Sequence, residues 1–135
     1  MGIFDFLKPN SSGKEFVNEK AFDNNRALQM QMAPKTLEQL YKLDITEEKE
    51  LKLEYFFYTN TAEKAEQLAG ELEKLNYSVH HGVSASNKKL HIITGWTSKM
   101  KMADNVVINW TEKMCEIGYE FDCEFDGWGT SPDQN

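Results

Sequence analysis

The sequence predicts an α+β fold in which a four-stranded antiparallel sheet carries two helices on one face, behind an N-terminal helix and arm. Three observations predict it. Strand-length apolar or alternating stretches occur near 50–59, 77–83, 89–96 and 119–126. Apolar residues recur at helical spacing near 61–75 and 99–117. Their order is β-α-β-β-α-β, the split βαβ or ferredoxin-like arrangement. By analogy with that motif, the last strand pairs with the first.

Each element has a local reason. Residues 1–33 read as an arm, partly helical or flexible: "PNSSGK" is loop chemistry, and Leu28, Met30 and Met32 are spaced by two. Pro34 suits a helix start, followed by a stripe of Leu37, Leu40 and Tyr41. This places the domain proper at 34–135. In "ELKLEYFFYT", Leu51, Leu53, Tyr55 and Phe57 point one way. Lys52, Glu54, Phe56 and Tyr58 point the other way. Asn60 is a candidate cap for the helix at 61–75, with Glu63 as its capping-box partner and Asn76 as a left-handed stop. That helix buries Ala65, Leu68, Ala69, Leu72 and Leu75. "YSVHHGV" and "LHIITGW" form a hairpin around "SASNKK". Ser98 caps a helix at 99–117, and Gly118 ends it.

The closing stretch "YEFDCEFDGWGT" raises the functional question. Strict alternation puts Tyr119, Phe121, Cys123 and Phe125 on a buried face. It puts Glu120, Asp122, Glu124 and Asp126 on the opposite one, beside Phe56 and Tyr58 of the first strand. Gly127 and Gly129 then frame Trp128 in a sharp structural turn. Trp128 either folds back on the core edge or stands out as an anchor for a partner.

Charge bounds what such a face binds. The 135-residue chain carries a net charge of −7, and no Lys or Arg follows Lys113. Many sheets of this topology stack single-stranded RNA on their open face. Here carboxylates occupy that face, and like charges ~6 Å apart repel by roughly 1–3 kcal/mol. Direct nucleic-acid binding is therefore not expected. Two readings of the ladder stand: a wet, solubilising face, or a surface that steers a basic protein segment to aromatic anchors. The binding candidates are Phe56, Tyr58, Glu120, Asp122, Glu124, Asp126 and Trp128.

No catalytic residue is expected. HExxH, the P-loop, GxGxxG and GxSxG patterns are absent. The alternative is a small metal-binding or enzymatic domain using His80 and His91 of the hairpin, or a self-associating domain with no RNA connection. No cofactor is expected. Cys115 and Cys123, eight apart, read as small apolar residues in a reduced cytoplasm. No apolar run reaches the ~18 residues of a membrane span, and the start lacks a secretory pattern. The expected location is cytoplasmic.

"TLEQLYKLDIT", "LKLEYFFYTNTAEKAEQLAGELEKLNYSV" and "FDCEFDGWGT" together resemble the regulator of ribonuclease activity B family across about residues 36–130. The resemblance implies a ferredoxin-like fold and a non-catalytic bacterial regulator. It implies inhibition of an RNase E type endoribonuclease through that enzyme's scaffold region. Family members also occur in bacteria without that ribonuclease, so the partner can differ.

Overall fold

A computed structural model describes residues 15–134; the first part of the expected arm lies outside the described residues. The elements in chain order are α1 Glu19–Lys42, β1 Glu50–Leu51, β2 Leu53–Thr59, α2 Ala62–Glu73, β3 His80–Val83, β4 His91–Trp96, β5 Met100–Lys101, α3 Asp104–Glu120 and β6 Glu124–Thr130. Helices and antiparallel sheets together make the fold α+β. The main sheet has the order β3-β4-β2-β6, with every neighbouring pair antiparallel. A short ribbon of β1 with β5, not anticipated from the sequence, forms a second sheet.

Burial alternates strictly along β2. Leu53, Tyr55, Phe57 and Thr59 are buried, while Glu54, Phe56 and Tyr58 are half-buried. The inner set joins Ile93 of β4, Phe125 of β6, Leu68 and Leu72 of α2, and Val107 and Met114 of α3 in one core. Phe57 and Phe125, opposite each other in register, pack with ring centroids 5.1 Å apart.

Several boundaries differ from the sequence reading. Pro34 does not start a helix; it lies inside α1. A mid-helix proline lacks the N–H donor and costs about 3 kcal/mol. Burial of Ala33, Leu37 and Leu40 opposes that cost. Thr61, not Asn60, caps α2: its side chain accepts from Lys64 N, while Asn60 Oδ1 accepts from Lys64 Nζ at 2.9 Å. Asn76 takes the left-handed conformation expected of it, with φ 66°. Leu75, expected in the buried stripe, is 46% exposed. Residues 100–101 form β5, so α3 begins at Asp104 and Ser98 caps nothing there.

The largest correction concerns Gly118. It does not terminate α3 but lies buried within it. A Cβ at this position would sit 2.8 Å from both Cys123 O and the Phe57 ring. The glycine serves close packing of helix on sheet, so the helix runs on to Glu120. Residues 119–123 are therefore helix end and turn, and the last strand is 124–130 rather than 119–126. Tyr119 stacks on Phe22 of α1 at 4.2 Å between centroids.

Both cysteines are free and buried, and burial pushes each thiol up to about 12. Thiolate is the reactive form, so at neutral pH a disulfide-exchange reagent should modify neither in the folded protein. Adding denaturant should release both. Fast stoichiometric labelling of either cysteine under native conditions would contradict the packing of α3 on β6.

Candidate protein-binding surface

The predicted ladder of four carboxylates does not form, because its residues belong to three different environments. Glu120 closes α3 and is exposed on the helical side. Asp122 has a left-handed backbone, φ 57°, and is 6% exposed. Its carboxylate accepts from Lys64 Nζ at 2.6 Å, from Phe16 N at 2.8 Å and from Val17 N at 2.7 Å. It is an internal clamp joining the turn before β6 to α2 and to the entry of α1. Nothing outside the molecule can use it.

Glu124 and Asp126 remain on the strand. Glu124 stands opposite Tyr58. The register then slips: Phe57 pairs with Phe125 and Phe56 with Gly127, leaving Asp126 as the extra residue of a bulge. Gly127 supplies the backbone this needs, at φ 119°. Gly129 has no positive φ, and both glycines lie within β6 rather than in a terminal turn. Burial raises both carboxyls above their usual range, and Asp126 raises Glu124 further. Neither is ion-paired among the described residues.

Trp128 points inward from a position opposite Tyr55. It packs partly buried on the core, edge-on to Trp110 at 6.3 Å. Of the two readings, the structure gives the fold-back on the core edge. The free edge of β6 is guarded by α1, whose Asn25 Nδ2 donates to Phe125 O at 2.7 Å.

The face turned away from the helices is richer than the sequence reading indicated. Register aligns Tyr58 with Ile92, Phe56 with Thr94 and Glu54 with Trp96. The outer face thus carries Phe56, Tyr58, Ile92 and Trp96, all half-buried, with Glu124 and Asp126 at one side. Ile93 is the inward residue of β4, which leaves Ile92, Thr94 and Trp96 on the outer face. The signal that could have found them was parity: in "HIITGW", glycine at 95 fits the crowded side. Thr94 Oγ1, at the centre of this face, is buried with no hydrogen-bond partner among the described residues.

The histidines do not converge. His80 pairs with Thr94 and His91 with Val83. No group of three or more metal-ligating side chains occurs among the described residues. No helix among them is long and apolar enough to cross a membrane.

The match to the family described as regulator of ribonuclease activity B covers residues 31–130. The chain belongs to that family. No curated protein matches it. The open sheet face is built on the two central strands, β2 and β4. The family match begins within α1, and its last residue, Thr130, is the last residue of β6.

Proposed function

We propose that this protein is a non-catalytic bacterial regulator that lowers ribonuclease action by binding a protein partner through its open sheet face. The family it belongs to supports ribonuclease regulation. The observation that carries the docking site is the meeting of two features. Half-buried Phe56 and Tyr58 provide area on the side of β2 opposite its core-facing residues. Beside them stand half-buried Glu124 and exposed Asp126, neither ion-paired among the described residues.

Such a pair of carboxylates gains by meeting Lys or Arg, and the aromatic rings offer a cation a second attraction. A basic, extended segment of an RNase E type scaffold has the required chemistry. The carboxylates repel nucleic acid, so competition is for the enzyme's basic segment and not for its RNA. The order β6-β2-β4-β3 supports reading the sheet as the ferredoxin-like split βαβ. In this reading Trp128 and Asp122 hold the framework, and Glu120 lies outside the face.

The test is calorimetric titration of the ribonuclease scaffold with the native protein and with a Glu124→Lys/Asp126→Lys variant. The variant should bind at least about tenfold more weakly, a loss of ~1.4 kcal/mol. The difference should shrink as salt is raised. A Phe56→Ser/Tyr58→Ser variant should lose affinity at every salt concentration. Unchanged affinity in both variants discards the face as the site.

A further inference from the structure

A channel of about 520 Å³ runs between α2 and α3, on the opposite side of the molecule from the open sheet face. Its floor is apolar, with Trp110 and Met114 buried and Tyr77 and Ile117 half-buried. Leu75, an apolar residue left 46% exposed past the end of α2, stands at its side. Glu71, Glu116 and Glu120 line the channel with one cation, Lys113.

The surrounding helices are strongly acidic. Eight Asp and Glu residues lie on α2 and α3. The two lysines within these helices are Lys64 and Lys113, and Lys64 is buried against Asp122. Lys74, at the α2 cap, is held by Glu71 at 3.3 Å. The acidity that the sequence seemed to place on the sheet therefore concentrates along the helical layer.

We infer that this channel is a second docking site, fitted to an amphipathic helix that carries Lys or Arg along the flanks of an apolar stripe. A groove between two packed helices accepts the ridge of a third. Glu116 and Glu120, one turn apart on α3, can meet cations one turn apart on the incoming helix. The exposed Leu75 and half-buried Ile117 receive its apolar residues. A single short segment cannot fill both this channel and the sheet face, so a partner using both presents two segments. The inference does not depend on the sheet-face reading.

The experiment uses the full chain, labelled for nuclear magnetic resonance, and a short synthetic helix of leucines and lysines at amphipathic spacing. The expected result is saturable shifts at Leu75, Met114, Ile117 and the Trp110 indole. A scrambled peptide and one with lysines replaced by glutamates should give none. Glu116→Lys/Glu120→Lys and Leu75→Asp should each weaken binding at least about tenfold, which corresponds to ~1.4 kcal/mol. These positions are exposed, and circular dichroism checks that both variants fold. Glu124→Lys/Asp126→Lys should bind the peptide unchanged while losing the ribonuclease scaffold, which separates the two sites. Shifts confined to Phe56 and Tyr58 would overturn the inference. So would a channel already filled by the chain's own residues 1–14, seen as cross-peaks from Phe4 or Phe6. Concentration-dependent shifts without peptide would assign the channel to a second copy instead.

Discussion

Replacing Asp122 with alanine should lower the free energy of unfolding by about 3–5 kcal/mol, the range for breaking a buried ion pair from one side. Three donors lose their acceptor together: Lys64 Nζ, Phe16 N and Val17 N. Both charged side chains are 8% exposed, so water does not replace the carboxylate without structural change. Alanine also resists the left-handed backbone at this position, φ 57°. Lys64 Nζ also donates to Asn60 Oδ1 at 2.9 Å, a neutral acceptor that does not balance its charge.

Two further variants separate these contributions. Asp122→Asn tolerates the backbone and retains an acceptor, so it should lose less than alanine. Lys64→Met leaves the carboxylate with its two backbone donors and should lose less as well. In a double-mutant cycle the pair should show a coupling of about 0.5–3 kcal/mol. Urea unfolding measures all of them. An Asp122→Ala variant within 1 kcal/mol of the native protein would refute the clamp. Because a domain of this size has only about 5–15 kcal/mol in total, the expected loss is large.

The same residue shows where sequence reading stopped. Period two placed "YEFDCEFD" on a strand, and the pattern is real. Helix-end residues can satisfy it too, because Tyr119 stacks on Phe22 while Cys123 and Phe125 enter the core. What decides between strand and helix is a tertiary fact: Gly118 is needed for contact with Phe57 and Cys123. Local rules assign a glycine near a helix end to stopping it. By contrast, β2 was legible because both of its faces alternate without interruption. The core stripe of α2 was legible for the same reason, apart from Leu75. The face bearing Phe56 and Tyr58 could be read from one strand alone. Its completion by Ile92 and Trp96 needed the register of β4, which no single segment encodes.

A glycine in that same strand should give the second large effect. Gly95→Ala should destabilise the protein by about 3 kcal/mol, at the upper end of ordinary overpacking. An added Cβ would lie 1.8 Å from Ser78 O and 2.6 Å from the Tyr55 hydroxyl. Neither neighbour yields cheaply. Tyr55 Oη donates to Ser78 O at 2.5 Å, and its ring is fully buried in the core. Ser78 is also tied to Trp96, donating its N–H to Trp96 O and accepting from Trp96 N through Oγ, each at 3.0 Å. The methyl must therefore push the backbone at 78 off β4 and break bonds worth about 0.5–1.5 kcal/mol apiece. Gly82→Ala in the neighbouring edge strand is the control, since nothing lies within 4 Å of its Cβ position. It should stay within about 0.5 kcal/mol of the native protein. Calorimetry reads the difference as a fall in melting temperature of about 10 °C for Gly95→Ala alone. Equal effects at the two glycines would show that the approach of residue 78 to β4 is not what constrains position 95. The displacement also moves Trp96, whose side chain belongs to the open face. Gly95→Ala should therefore weaken partner binding at temperatures where it is still folded, although the glycine itself has no side chain to contribute.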